Sequence, residues 1–241
     1  MNAIVDSISA STPTSAIDLT ALLYMFFLWT CYAIYAKRRA RQGRFSSLSH
    51  SMRILRERWV RQLLQRDIRV TDASLLASQE RVVGFFASAT MIILAAVFTA
   101  LSASSQIADI ANHLPFAQQQ STSQVQLKLL VIALVLVYAF FIITWSLRQY
   151  GFAAVMMGSA PTPNETIEDT DKERFIHAMA QLMDTAGHDN NKGLRAYYFC
   201  LAMVFWLIHP YLYMLMSSVT VLVLAQREFN SKAVKRLESA I

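Results

Sequence analysis

The stretch LLVIALVLVYAFFIITWSL, Leu129–Leu147, contains no charged residue and lies between Lys128 and Arg148. A hydrocarbon core of about 30 Å needs roughly 20 apolar residues when each residue adds about 1.5 Å to a helix. The stretch therefore predicts a membrane-spanning helix. We expect the flanking Lys128 and Arg148 to extend their charged ends to the two interfaces.

Three further apolar runs have the length of a membrane span, namely 17–36, 82–104 and 196–226. The last run contains His209-Pro210 near its centre, and proline kinks a helix because it removes a backbone donor. We predict one long, bent fourth helix there, and a re-entrant hairpin of two short halves is the alternative. The whole chain, 1–241, is thus expected to be one all-α, polytopic membrane domain with about four transmembrane helices.

Composition agrees with a membrane protein, since the chain is 55% hydrophobic, only 16% charged, and has a mean hydropathy of +0.35. This is more apolar surface than a soluble core of that size needs to bury. The two cysteines, Cys31 and Cys200, both lie inside apolar runs. We interpret them as buried free thiols and not as a disulfide framework.

Charge predicts the orientation of the loops. Between Lys37 and Arg81 there are 12 Lys and Arg against 4 Asp and Glu, a local charge of +8 in a chain whose total is +6. The positive-inside rule therefore predicts that loops 37–81 and 151–195 are cytoplasmic and that loop 105–126 is on the outer side. The basic C-terminal tail lies outside in a four-pass arrangement, whereas a re-entrant last segment returns it to the cytoplasm.

The first cytoplasmic loop is predicted to form a basic amphipathic helix. Its apolar residues recur at three- and four-residue spacing, and arginines occupy its other faces. The apolar residues are Leu48, Met52, Leu55, Trp59 and Leu63, and the arginines are Arg53, Arg56, Arg58 and Arg61. Such a helix can lie on anionic headgroups, or its apolar stripe can pack on a second cytoplasmic helix of the same chain. The two interpretations are compatible.

The second cytoplasmic loop is predicted to contain a helix that starts after the acidic segment 165–173 and ends at Gly187 and 189–191. Carboxylates and imidazoles on this helix are the best candidates for metal ligation: Glu173, His177, Asp184 and His188. Their spacing of four, seven and four residues places them near one face, but no established zinc or iron motif is present. We therefore predict neither a metal nor another cofactor, and interpret these residues as solvated surface positions.

Two aromatic segments, 138–150 and 191–199, each contain an arginine at the predicted cytoplasmic boundary. One interpretation is an aromatic belt with snorkelling cations. The other is a lipid headgroup or phosphate site formed by Arg148, Lys192 and Arg195 together.

His209 is the one histidine within an apolar run, and ionisable groups inside a membrane are candidates for function. With Pro210 it defines a possible transport pathway. The alternative is that the imidazole satisfies a backbone carbonyl released by the kink.

The sequence contains no G-x-S-x-G elbow, P-loop, dinucleotide-binding glycine pattern or Cys-x-x-Cys pair. Nucleophilic, phosphoryl-transfer and redox-cofactor catalysis therefore have no sequence support. A nucleic-acid partner is not expected either, because the basic loop lacks a recognition module.

Five ordered segments resemble an uncharacterised bacterial membrane-protein family, domain of unknown function 599. These segments are Arg56–Leu76, Phe85–Thr90, Lys128–Tyr150, Asn191–Phe199 and Arg227–Ser231. The resemblance implies a multi-pass protein of the bacterial inner (cytoplasmic) membrane, and it supplies no catalytic or binding residues.

The leading hypothesis is a non-enzymatic membrane protein, a scaffold or accessory subunit, whose basic cytoplasmic face binds anionic phospholipid headgroups or an acidic partner. The expected partners are the lipid bilayer and a second membrane protein or another copy of the chain. The first alternative is an oligomeric small-solute transporter or channel that uses the kinked fourth helix. The second is a lipid-modifying enzyme that holds a phosphate with Arg148, Lys192 and Arg195, although no base or nucleophile is evident.

Overall fold

A computed structural model describes residues 16–41, 48–115 and 117–238. Every regular element in these ranges is helical, which confirms the all-α class. The helices are α1 (Ala16–Arg41), α2 (Leu48–Leu63), α3 (Val70–Ser102), α4 (Ser104–Asn112), α5 (Thr122–Gly158), α6 (Asp169–Val204), α7 (Pro210–Phe229) and α8 (Lys232–Glu238), with a 3₁₀ turn at Phe205–Leu207 between α6 and α7.

Three helices are long and apolar enough to cross a membrane. They are Ala16–Ala36 within α1, all of α3 and all of α5, and they contain most of the predicted spans 17–36, 82–104 and 129–147. Their outward surfaces carry large apolar side chains, with Leu23 60% exposed, Phe85 67% and Leu134 60%. A soluble protein does not expose apolar surface on this scale, so the chain is a membrane-embedded protein.

The predicted fourth helix, 196–226, is wrong as a single element. α6 ends at Val204, and α7 begins at Pro210. His209 has extended backbone angles, and its Nδ1 accepts a hydrogen bond from the Tyr211 amide at 3.2 Å. Proline at the first helical position and a capping side chain before it start a new helix.

The chain reverses direction at this break. α6 runs antiparallel to α5, because the Ser146 hydroxyl donates to the Ala186 carbonyl while Lys128 reaches the Trp206 carbonyl. α7 then returns beside α1 in the same direction as α1, since Tyr24 bonds Ser218 and, further along both helices, the Tyr35 ring lies 5.6 Å from the Phe229 ring. The run 196–226 is thus the end of α6 and a returning helix, and the hairpin alternative is closer to the structure than the kinked helix.

We name the two ends of this bundle from what lies there. The basic end holds α2 and the end of α7, where the Ser49 hydroxyl donates to the Glu228 carboxylate at 2.6 Å. The far end holds α4 and the turn 205–209. Because α8 also packs on α2, the basic tail lies on the same face as the basic loop and not opposite it.

The second predicted helix is also longer than expected. α6 continues through Gly187 and 189–191, where the sequence predicted its end. Gly187 leaves room for the end of the Arg56 side chain, because a Cβ built there would lie 2.5 Å from Nη2 of Arg56. The glycine therefore admits a guanidinium from α2 and does not terminate the helix.

A buried ion pair holds the far end together. Asp18 and Lys128 are each 1% exposed, and Oδ1 of Asp18 lies 3.1 Å from Nζ of Lys128. The same carboxylate oxygen accepts the Trp206 indole N–H at 2.8 Å, and the Lys128 ammonium also donates to the Gln120 amide oxygen at 3.0 Å. The expectation that Lys128 reaches the interface is wrong, because its charge is satisfied inside the protein.

Cysteine labelling tests the reversal at 205–209. Single-cysteine variants are made in a chain carrying Cys31→Ser and Cys200→Ala. The variants Arg58→Cys and Lys232→Cys are expected to react with an impermeant maleimide from the same side of the membrane. A cysteine at Gln119 should react from the opposite side of the membrane. If the basic end is cytoplasmic, the first two label only after cells are permeabilised, and opposite labelling of Arg58→Cys and Lys232→Cys would rule out the returning helix.

Removal of one partner from the buried pair should be costly. Asp18→Asn is expected to lower the free energy of unfolding by about 3–5 kcal/mol, because Lys128 is left charged and buried. Adding Lys128→Met should recover part of this loss, since an apolar side chain needs no partner. Thermal unfolding in detergent measures both, and Asp171→Asn, in an exposed pair with Arg174, is the matched control. An equal loss in the control would contradict the assigned role.

Candidate functional site

A cavity of about 740 Å³ lies at the basic end, between α1, α2, α5, α6 and α7. Three of the basic residues singled out from the sequence line it: Arg53 from α2, and Lys192 and Arg195 from α6. The volume is typical of a small-molecule site. The fold therefore brings cations that are far apart in sequence to one space.

The other basic residues do not belong to this cavity. Arg148 lies over the Phe152 ring at 5.7 Å on a different surface of α5, so the predicted convergence of Arg148 with Lys192 and Arg195 is not found. Arg56 and Arg61 attach α2 to α6: Arg56 bonds Asp184 at 2.7 Å, and Arg61 bonds Glu173.

The role of α2 follows from these contacts. Its buried residues, Ser51, Val60 and Leu63, face the protein, and the helix packs against α6. Arg58 is exposed on the opposite surface. Two residues of the predicted apolar stripe, Trp59 and Leu63, thus pack in one cluster with residues of α6, while Arg53 lines the cavity.

The α6 wall of the cavity is held by close contact with α5. A Cβ at Gly193 would lie 2.3 Å from Cγ1 of Ile143, so only glycine allows this approach. One turn earlier, the buried Asp189 carboxylate accepts hydrogen bonds from Gln149 at 2.7 Å and from Lys192 at 2.8 Å. These contacts fix Lys192 and Arg195 on either side of Gly193.

The α1 side of the cavity is apolar and aromatic. Trp29 lies parallel to Phe199 with ring centroids 4.8 Å apart, and it meets Tyr138 edge-on at 5.9 Å. Ala36 lines the cavity nearer the basic end. Ala36 is seven positions after Trp29, which corresponds to about 10 Å along a helix, so the cavity changes from apolar to charged over that length.

Two acidic groups of the cavity are neutralised by neighbouring cations, Asp184 by Arg56 and Asp189 by Lys192. The third, Glu228, accepts the Ser49 hydroxyl. Sequence reasoning missed Glu228 and Ser49 because they are 179 residues apart and neither carries a motif.

His188 also lines the cavity and lies outside the three candidate spans. Desolvation by the cavity wall, and then the charges of Lys192 and Arg195, lower the pKa of its imidazole. His188 is therefore largely neutral at pH 7, when it can accept a proton or a hydrogen bond.

The four candidate metal ligands are not brought together. Glu173 is bound by Arg61, whose hydrogen bond lowers the pKa of that carboxyl, and Asp184 is bound by Arg56. Among the described residues, no group of three or more His, Cys, Asp or Glu side chains is arranged to hold a metal ion.

His209 and Pro210 lie at the far end, away from the cavity at the basic end. The imidazole caps α7 and lies over the Tyr211 ring, with centroids 5.3 Å apart. The imidazole accepts a hydrogen bond from the backbone amide of Tyr211. The alternative interpretation, in which it satisfies a backbone carbonyl, is therefore wrong. No observation at His209 favours a transport pathway.

The chain matches a known protein family. The model of the family described as "Protein of unknown function, DUF599" matches residues 20–233. The chain belongs to this family. Its match covers every cavity residue named above. No curated protein and no solved structure shows a significant match.

Substitution of Gly193 tests the close approach of α5 and α6. Gly193→Ala is expected to lower the free energy of unfolding by about 1–3 kcal/mol, because the new methyl group overlaps Ile143. Gly151→Ala is the matched control, since nothing lies within 4 Å of its Cβ position, and the change should be neutral or slightly stabilising. Thermal unfolding in detergent compares them, and equal stability of the two variants would disprove the close contact.

Proposed function

We propose that this chain is a non-enzymatic membrane protein whose basic end binds the headgroup of an anionic phospholipid. The observation that carries the proposal is that Arg53, Lys192 and Arg195, from two helices, line one cavity. Arginine binds phosphate oxygens through paired hydrogen bonds, and such charge-assisted bonds are stronger than neutral ones.

The apolar wall favours a lipid over a free phosphate ion. Trp29, Ala33 and Tyr138 form an apolar part of the lining, where a glycerol backbone and the start of an acyl chain can lie. Arg53 lines the cavity from α2, and Lys192 lies on α6 between Arg195 and Asp184, which is bound to Arg56 of α2. This polarity matches an amphiphile whose headgroup faces the basic end.

The surroundings of the cavity support the same proposal. α8, which begins at the basic residue Lys232, packs on α2 beside the end of α7. A basic surface beside a bilayer attracts anionic lipids, with roughly 1 kcal/mol for each Lys or Arg near the surface. In this proposal the basic end is cytoplasmic, the membrane is the bacterial inner membrane, and the chain serves as a scaffold or accessory subunit.

A second candidate is a lipid-modifying enzyme, because Asp184 and His188 line the same cavity as the cations. A neutral imidazole near a bound phosphate can act as a general base. Asp184 is already engaged in the ion pair with Arg56, so His188 is the residue that this candidate requires.

Lipid retention tests the proposal. The full chain is assembled in nanodiscs containing phosphatidylcholine and phosphatidylglycerol, and bound lipid is counted by native mass spectrometry. Phosphatidylglycerol should be enriched over phosphatidylcholine, and Arg195→Ala should lower that enrichment about tenfold, because a charge-assisted contact is lost.

Arg148→Ala is the control, because Arg148 is an arginine of the same boundary that lies outside the cavity. Equal retention in Arg148→Ala and in the double variant Arg53→Ala/Arg195→Ala would exclude the cavity as the binding site. Conversion of the retained lipid to a new product, abolished by His188→Ala, would favour the enzyme instead.

A further inference from the structure

The Lys, Arg, Asp and Glu residues that line the cavity have equal numbers of positive and negative charges, but Asp184 is already paired with Arg56, which lies outside the lining, so one positive charge remains in excess. Asp184 and Asp189 are each paired with a cation, as described above. Among the described residues, no carboxylate lies within ion-pair distance of Arg53 or Arg195, and Arg195 instead lies over the Tyr32 ring at 5.1 Å. The positive charges of Arg53 and Arg195 are therefore not neutralised by a carboxylate of the described residues.

One negative charge also remains, on the Glu228 carboxylate. It accepts a hydrogen bond from the neutral Ser49 hydroxyl, at 2.6 Å, and no Lys, Arg or His nitrogen of the described residues lies within ion-pair distance of it. Glu228 lines the same cavity as Arg53 and Arg195. A carboxylate that loses water to a ligand needs a positively charged partner, because an unpaired charge is costly to desolvate.

These three residues define the charge pattern of a matching ligand. It has two negative groups for Arg53 and Arg195, and one positive group for Glu228. Phosphatidylglycerol supplies one negative group and no cation, while phosphatidylethanolamine supplies a phosphate and an ammonium but no net charge. Phosphatidylserine carries a phosphate, a carboxylate and an ammonium, with a net charge of −1 that equals and opposes the +1 of the three residues.

We propose that the cavity selects an anionic amino-phospholipid headgroup, with the phosphate and carboxylate at Arg53 and Arg195 and the ammonium at Glu228. The inference rests on the proposed function and narrows its ligand class. A primary ammonium donates three hydrogen bonds, so Glu228 and the Ser49 oxygen can both accept from it. A quaternary ammonium has no such donors, and selection against it follows from the same geometry.

A competition among four lipids separates net charge from the ammonium. The wild-type chain is assembled in nanodiscs of phosphatidylcholine with equal amounts of phosphatidylserine, phosphatidylglycerol and phosphatidylethanolamine, and the retained lipid is identified by mass spectrometry. Phosphatidylserine is expected to be enriched over phosphatidylglycerol about tenfold, the effect of one charge-assisted contact. Preference for phosphatidylglycerol, or equal retention, would overturn this inference and leave the proposed function standing.

Glu228→Gln isolates the carboxylate. The variant should lose the preference for phosphatidylserine over phosphatidylglycerol while keeping the preference for phosphatidylglycerol over phosphatidylcholine. Asp171→Asn removes an exposed carboxylate outside the cavity and should leave both ratios unchanged. If Glu228→Gln kept the preference for phosphatidylserine over phosphatidylglycerol, the placement of the ammonium at Glu228 would be refuted.

Two measurements on the wild-type chain need no substitution. N-acetyl phosphatidylserine retains both acidic groups without the ammonium, and its retention should fall about tenfold relative to phosphatidylserine. Equal retention of the two lipids would overturn the inference. Soluble glycerophosphoserine has the same headgroup without acyl chains and should displace the lipid only weakly; displacement at equal concentration would show that the ligand is not a lipid.

Discussion

The buried pair of Asp18 and Lys128 is the constraint on which the arrangement of helices depends. It joins the start of α1 to the start of α5, and through the Trp206 indole it also holds the turn after α6. Lys128 and Gln120 donate to the carbonyls of Trp206 and Leu207 at that turn. Because a broken helix end in an apolar environment must have its carbonyls satisfied, these donors allow the chain to reverse there.

The reversal produces the cavity. It sends α7 back along α1 and places Glu228 against Ser49 of α2, so the last helix closes one side of the space. The close α5–α6 contact at Gly193 fixes the opposite wall, and the Arg56–Asp184 ion pair holds α2 across it. An interaction at the far end therefore determines which charged groups meet at the basic end.

In the proposed lipid site, partial neutralisation of charge would set the selectivity. If every carboxylate in it were paired, the remaining arginines would bind any phosphate group. A carboxylate with only a hydroxyl donor would discriminate among phosphate-bearing lipids, because an anion without a positive group leaves it unsatisfied. Membership of a family of unknown function supplies no ligand, so this residual charge pattern is the most specific chemical information that the chain carries.

Some features follow from local sequence and others from contacts. The spans around Leu23, Phe85 and Leu134 were predictable, because continuous apolar length alone requires a bilayer, and the arginine-rich α2 was predictable from its helical spacing. The sequence by itself determined an all-helical membrane protein with one strongly basic segment. Only the tertiary structure decided the reversal at His209, the burial of Lys128 and the meeting of Arg53, Arg195 and Glu228. The physical reason is that hydrophobicity is a property of each residue, whereas the satisfaction of a buried charge depends on partners that are distant in sequence.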